Sequence, residues 1–548
     1  MTESPRKELR CSKKTVEGPW DVIVIGSGMS GMCVAAELSR KGSRVLVLEK
    51  HYQPGGFTHV FRRNVFEWDV GIHYVGNAEP GTEKGADWFM QLSALTGGNI
   101  SFRKIREPVD RIIFPDLQVE MPSTFEAYLD ELSKHFPGEK DNINRYFKDI
   151  KETRAGLRNY FATGLLPKPI KKILRGTFFK KTDKAALSTT EEVMSRYISD
   201  ERLKDVLDAQ WGNIGMPRKK CSFLIHAAML GCFLENGAYY PEGGSSIFAR
   251  ELGDTIYKNG SVVRVSAAVE TIVVKNGKAV GVKLENGEEI IAGKIVSSAG
   301  VRNTYNKFLA DCEEVSSERT EINSVPLNYQ YMNLFMGFDT SPDKFGLNDE
   351  NYWIYKKWGT EPENGFWDVR GAEKGDQPHV MFLNSSSMRD PLHGKFGNSG
   401  HVGQVVFIGE QGMFEKWKDK KWQKRGSGYE ELKEKAGEMV INSLNRYLPG
   451  LKSHVSEYNV STPLSYETFS FHPQGVPYGL ASIPDRYRLN ALKPQTPVKN
   501  LYLTGQDMIL PGIPAAVGSA MMTLSIMRKE NVGGRLIKEA RKMYGLKA

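Results

Sequence analysis

The sequence predicts an α/β fold. A Rossmann-type nucleotide-binding domain is assembled from separated stretches of chain, and a mixed α+β domain is inserted between them. Three observations predict it. Near the N-terminus a short apolar run leads into Gly26-x-Gly28-x-x-Gly31 and a helical stretch. At 261–300 a series of β-branched runs is punctuated by Asn-Gly pairs. At 500–504 a last apolar run ends in Gly505 and precedes a stretch of small residues. Apolar runs bounded by turn residues are how buried strands read.

The elements follow in order. Residues 21–25 (DVIVI) are a buried strand, 32–42 a helix with small Cys33, Ala35 and Ala36 and Gly42 as its stop, and 44–49 a second strand. The stretch 85–235 is mixed and mostly helical, with helices at 125–136 and 191–197 interrupted by a basic segment at 165–184. A helix runs from Phe248 to Asn259-Gly260, and a strand meander follows, with hairpin turns at Asn276-Gly277 and Asn286-Gly287. Residues 326–450 mix strands at 331–339, 379–386 and 403–410 with a helix at 429–447. The aromatic set Tyr329, Tyr331, Phe335 and Phe338 falls on or just before the first of these strands, as core or as a substrate wall. Residues 508–527 carry no charge, a nominal membrane-spanning length. Pro511, Gly512 and Pro514 would leave backbone groups unpaired in lipid, so a turn at 510–514 and a buried helix from about Ala515 are expected, with no transmembrane helix. The nucleotide-binding domain is assigned 18–95, 238–310 and 491–548, and the substrate domain 96–237 and 311–490.

Composition bounds the function. The 548 residues are 40% hydrophobic and 25% charged, which excludes a disordered chain, a collagen and a long coiled coil. Five scattered cysteines without C-x-x-C spacing argue against a disulfide scaffold or a thiolate metal site. There is no H-E-x-x-H and no basic-aromatic nucleic-acid motif, so neither metal nor nucleic acid is expected. Residues 1–20 are polar and basic with no apolar core, so no signal peptide is expected.

The motif at 26–31 has a mechanical reading. Gly26 makes the tight turn, Gly28 lets backbone approach a pyrophosphate, and Gly31 lets helix and strand pack closely. The helix N-terminus offers free N–H groups to the phosphates. Glu49 ends the second strand 18 residues after Gly31 and can accept from a ribose diol, favouring an unphosphorylated adenosine. Lys50 follows, then a second glycine pair, Gly55-Gly56. At the far end Gly505-Gln506-Asp507 repeats the pattern of strand, glycine and acid. A cofactor gripped by both chain ends is long, which fits FAD better than NAD; the alternative for Asp507 is a turn cap.

Together these residues resemble the flavin oxidoreductases of the phytoene desaturase and carotenoid isomerase group, and within it the retinol saturases. The matching pieces are GSGMSG with Glu49 and Pro54-Gly55-Gly56, Asp69-Val-Gly-Ile-His73-Tyr74, Ser222-Phe-Leu-Ile-His226, Tyr239-Tyr-Pro-Glu-Gly-Gly, Val296-Ser-Ser-Ala-Gly300 and Thr504-Gly-Gln-Asp507. The resemblance implies a glutathione-reductase-like FAD fold with FAD contacts at Gly26, Ser27, Gly28, Gly31, Glu49, Lys50, Gly55, Gly56, Val269, Gly300, Gly505 and Asp507. It implies saturation of a double bond in a retinoid or carotenoid-like polyene, with NADPH, NADH or a reductase partner as electron source. Isomerisation and desaturation are the chemical rivals, and a non-catalytic isoprenoid-binding protein on the same fold is the rival of another class. His73, Tyr74 and His226 are the candidate catalytic residues, each with an alternative as core.

The segment 165–184 holds seven basic residues (Lys168, Lys171, Lys172, Arg175, Lys180, Lys181 and Lys184) against Asp183 alone, interleaved with leucine, isoleucine and phenylalanine. The net charge of the chain is +9. A peripheral location on the cytoplasmic face of an anionic membrane is expected, the alternative being a solvated basic loop.

Overall fold

The computed structural model describes residues 8–79, 86–361, 366–370 and 376–547. Its first sheet has seven strands and a parallel core. Trp20–Ile25 sits at the centre, with Val45–Leu48 and then Val262–Arg264 on one side and Glu289–Ser297 and then Leu501–Leu503 on the other, all parallel. Strands from three distant stretches of chain thus build one sheet. The hairpin partners Val269–Lys275 and Lys278–Leu284 extend it antiparallel from the N-terminal half of Glu289–Ser297. Asn276 and Gly277 both adopt positive φ, the turn chemistry expected of Asn-Gly.

Helix Met29–Arg40 is buried along nearly its whole length between Ile247–Lys258 and Ile513–Arg528. Only small residues fit there, which is why Cys33, Ala35 and Ala36 have no exposed surface. The uncharged stretch near the C-terminus forms helix Ile513–Arg528, beginning two residues earlier than expected. Pro514 stands in its first turn, where a missing N–H costs nothing. Among the described residues no helix is long and apolar enough to cross a membrane.

A second seven-stranded sheet runs Val455–Ser461, Met332–Phe338, His401–Phe407, Val380–Asn384, Asn351–Tyr355, Asp110–Phe114 and Leu117–Met121. Its pairings are antiparallel except Asn351–Tyr355 with Asp110–Phe114. Strand alternation divides it into two faces. Met332, Leu334, Met336 and Phe338 pack with Val440 and Leu444 of helix Ser427–Tyr447. Tyr331 and Asn333 face the other way, into the cleft described below. Phe338 therefore parts from Tyr331 and Phe335 and belongs to the core.

The stretch expected to be mostly helical holds the strands Phe102–Lys104, Asp110–Phe114 and Leu117–Met121 besides its helices. The hairpin Val60–Arg63 with Phe66–Asp69 and the strand Asn351–Tyr355 are further elements that periodicity did not reveal. The basic segment is itself mostly helical, as Lys168–Gly176 and Lys180–Leu187.

Candidate active site

The parallel strands end level with one another: Ile25 pairs with Leu48 and Ser297, and Ser297 with Leu503. The turns that follow them therefore meet along one edge, the carboxyl edge where open α/β sheets bind ligands. A cleft lies there. Of the residues assigned to a cofactor from sequence, Gly26, Gly28, Glu49, Lys50, Gly55, Gly56, Val269, Gly300 and Gly505 line it.

Ser27, Gly31 and Asp507 are not among the lining residues; they fix the wall from behind. A Cβ on Gly31 would lie 2.3 Å from the Gly26 carbonyl oxygen, so only glycine lets the helix start this close to the turn. Ser27 donates its N–H and hydroxyl to one Glu49 oxygen at 2.9 and 2.6 Å, while the other accepts the His51 N–H at 2.8 Å. The Ser27 hydroxyl in turn accepts from the Gly55 N–H at 3.0 Å, which ties both glycine motifs to the acid. Asp507 accepts from the Val301 N–H at 3.0 Å and the Leu480 N–H at 3.2 Å. Its carboxylate thus clamps three chain segments together, a role close to the cap considered above.

The cleft fits a dinucleotide on its own geometry. Nothing lies within 4 Å of a Cβ placed on Gly28, so the space over the turn is free for a ligand. Helices Met29–Arg40 and Ile513–Arg528 begin at Gly28 and Gly512 without any side-chain cap, and both starts line the cleft. Their first N–H groups are left for an anion or a polar ring edge. A Cβ on Gly505 would stand 3.7 Å from the Ser30 hydroxyl, so the two chain ends meet here. Lys50 lines the cleft with its ammonium 3.8 Å over the Phe471 ring, and burial lowers its pKa.

The facing wall is aromatic. Phe57, Tyr331, Tyr466, Phe469, His472 and Tyr478 contribute to it. Tyr331 donates to the Gly212 carbonyl at 3.0 Å, and Tyr466 accepts from the Asn333 amide at 2.5 Å. Tyr478 differs: among the described residues its hydroxyl has no hydrogen-bond partner, and burial alone pushes its pKa up to about 12. Sequence reasoning missed Tyr466, His472 and Tyr478, which lie in loops and one short helix with no motif to mark them.

The three catalytic candidates separate. His73 lines the cleft; burial and the nearby Arg389 push its pKa down to about 3. The Asn384 side-chain nitrogen is 3.2 Å from His73 Nδ1, an arrangement that makes Nδ1 the acceptor and puts the ring proton on Nε2. Tyr74 sits behind the cleft, stacked on Phe233 at 4.5 Å and accepting from the Asn213 amide at 2.8 Å. His226 is fully buried in helix Phe223–Asn236 and is not among the residues lining the cleft. Neither of its nitrogens has a hydrogen-bond partner. Tyr240, second residue of the Tyr239-Tyr-Pro motif, is buried and donates to the Asp69 carboxylate, which also accepts from Ser245. Among the described residues no group of His, Cys, Asp or Glu is placed to hold a metal ion.

Residues 24–84 match the NAD(P)-binding Rossmann-like domain family. The chain is 30% identical over 538 residues to an all-trans-retinol 13,14-reductase of Danio rerio, covering 93% of this chain and 86% of that one. It is 28% identical to the chloroplastic prolycopene isomerase 2 of an Oncidium hybrid cultivar, covering 90% and 81%. Among solved structures, cyclohexylamine oxidase of Brevibacterium oxydans superposes with a TM-score of 0.57 at 15% identity, covering 95% of this chain and 99% of that one. That last likeness carries the fold alone.

Proposed function

The chain belongs to the family of the all-trans-retinol 13,14-reductases, and from that premise we propose that it is an FAD-dependent oxidoreductase acting on a carbon–carbon double bond of a lipophilic polyene. The observation that carries the reading is the convergence of both chain ends on one cleft whose opposite wall is aromatic. The N–H groups at Gly28–Ser30 hold the pyrophosphate, and Glu49, fixed by Ser27, accepts from the adenosine ribose. When bound, FAD supplies two-electron hydride chemistry at its ring. The rings of Phe57, Tyr331 and Tyr466 exclude water and present a flat surface to a conjugated chain.

Saturation adds a hydride and a proton across the double bond, so a proton must come from the protein or from water. Tyr478 is the residue best suited to give it. Its hydroxyl is spent on no other partner, and its raised pKa keeps the proton in place at neutral pH. His73 is a poor acid by comparison, because it is neutral above about pH 3. It serves instead as a donor through Nε2. The relatives named as isomerases support a second reading, in which the same cleft rearranges a double bond without net reduction. Product mass from anaerobic, pre-reduced enzyme offered retinoids and carotenoids decides between them. A gain of two hydrogens is expected. An unchanged mass with altered absorption indicates isomerisation, and a loss of two indicates desaturation. Purified protein without flavin, forming no product, would overturn the enzymatic reading.

Supply of the substrate from a membrane surface is part of the same proposal, as is reduction by NADPH or NADH, directly or through a reductase. Leu166, Ile170, Ile173 and Phe178 are exposed, by 39, 48, 63 and 82%. Lys172, Lys180 and Lys184 are exposed beside them, the composition of a segment lying on the cytoplasmic face of a bilayer. Two of the counted cations have partners within the chain. Arg175 lies 3.9 Å over the Tyr160 ring, and Lys181 pairs with Asp149 and Glu152. Burial lowers Lys171 to about pKa 8, so it loses its charge as pH rises past that value. Flotation with anionic liposomes should therefore weaken between about pH 7 and 9, by roughly 1 kcal/mol per lysine neutralised at the surface. It should vanish when Lys171, Lys172, Lys180 and Lys184 become glutamate. Undiminished flotation of that variant would remove the membrane from the proposal.

A further inference from the structure

Beside the cleft lies a second chamber. The two are adjacent and share Phe57, Val70, Asn333, Tyr466, Phe469 and Ser470 as lining residues. Phe61 and Phe335 make the second chamber aromatic inside, and Tyr52 and Trp422, about half exposed, also line it. Its charges are one-sided: Arg62, Arg63, Arg425 and Lys433 line it, against Glu430.

Two of these cations are accounted for. Arg62 pairs with Glu67, and Lys433 with Glu430 at 2.9 Å. Arg425 is not. It is 5% exposed, and its guanidinium has no carboxylate within ion-pair distance among the described residues. It donates to neutral oxygens, the Tyr429 hydroxyl at 3.4 Å, the Leu464 carbonyl at 3.4 Å and the Thr468 hydroxyl at 3.1 Å, and lies 5.1 Å over the Tyr429 ring. Its Nε has no acceptor. Glu467 is an acid whose field reaches it without coming within ion-pair distance; burial raises the pKa of that carboxyl, and the Arg425 charge works against the rise. A buried cation without a counter-ion is costly to keep, and a guanidinium fork matches a carboxylate in two hydrogen bonds.

We infer that the second chamber receives the anionic end of the substrate: a carboxylate on Arg425, with Arg63 and Lys433 nearby and the apolar chain running past Phe57 and Tyr466 into the cleft. The inference rests on the polyene reading above and narrows the substrate class to a lipophilic carboxylic acid, as opposed to an alcohol or a hydrocarbon.

The test uses flavin-loaded protein and three ligands that share one all-trans polyene chain and end in a carboxylate, a hydroxyl or a methyl ester. Binding is followed by quenching of tryptophan fluorescence. The acid should bind about tenfold or more tightly than the other two, and the preference should shrink as salt rises. Arg425→Gln should abolish the preference while leaving the affinity for the alcohol unchanged. Because Arg425 is buried, Arg63→Gln offers a second variant on an exposed residue, expected to lower the affinity for the acid about threefold and to leave the alcohol alone. Equal binding of acid and alcohol by the wild-type protein would overturn the inference. So would an equal loss for all three ligands in Arg425→Gln, or no change in Arg63→Gln. Displacement of the acid by millimolar inorganic phosphate would make this a phosphate site and overturn the assignment to a carboxylate. If none of the three ligands binds, the polyene reading itself fails; if all bind alike, only this inference does.

Discussion

The two walls of the cleft are built in opposite ways. The wall at the strand ends is backbone: turns at Gly26, Gly28, Gly56 and Gly300 supply N–H groups and empty space, and the side chains of Ser27, Glu49 and Asp507 hold that backbone in place. The facing wall is side chain: the rings of Tyr331, Tyr466 and Tyr478 come from separate loops, a strand edge and a short helix. Behind the first wall, at Gly31, no added volume is tolerated, while the space over Gly28 is open. The second is defined by which rings reach the cleft and which of their hydroxyls are spent. Binding a fixed nucleotide calls for the first kind of surface, and handling a flat apolar chain calls for the second.

The comparison breaks most visibly at Gly31. Gly31→Val puts a side chain against the Gly26 carbonyl, which is backbone and cannot step aside. Overpacking of this kind costs about 1–3 kcal/mol, and the displaced turn should no longer retain flavin. Visible absorbance after gel filtration, together with a melting curve, checks both, and a variant that keeps its flavin would show the glycine wall to be plastic.

Tyr478→Phe sharpens the other side. The hydroxyl has no partner to lose, so flavin content and melting temperature should hold while kcat falls roughly 100-fold, the contribution of a positioned acid. A drop in stability with unchanged kcat would return Tyr478 to the wall as a mere ring.

The smallest effect belongs to a residue in neither wall. His226 is neutral when folded, its pKa pushed down to about 3 by burial. An unfolded imidazole titrates near ~6.5, so as pH falls below that value the unfolded chain binds a proton that the folded chain refuses. Stability is lost on the acid side in consequence. In His226→Leu that loss disappears: turnover at neutral pH should be unchanged, and at pH ~5 the variant should be more stable by about 2 kcal/mol. Identical acid unfolding of variant and wild type would mean that the Asp208 carboxylate, 3.9 Å from its Nδ1, lets the folded chain take up the proton.

The glycine wall was legible because its requirements are local. A turn that must approach a phosphate needs Gly28 whatever the rest of the chain does, and a buried parallel strand shows itself as an uninterrupted apolar run such as 21–25. The hairpin turn at Asn276-Gly277 was legible for the same reason. The strands Asp110–Phe114 and Leu117–Met121 were not, although Ile112, Phe114, Val119 and Met121 alternate as buried residues, because their neighbour Asn351–Tyr355 lies more than two hundred residues away. His73 and His226 show the same limit at single residues. Both lie in apolar stretches, yet one lines the cleft and the other is closed into a helix core.

By itself the sequence determined the glycine turns that line the cleft, since backbone conformation there is dictated by the residues of the turn and their immediate neighbours. Only the tertiary structure decided which rings face the cleft, that Arg175 packs on Tyr160 and Lys181 pairs with Asp149 and Glu152, and that Arg425 is buried with no carboxylate in ion-pair distance among the described residues. Those outcomes depend on partners brought together from distant parts of the chain, and a side chain's burial and hydrogen bonds exist only once those partners have met.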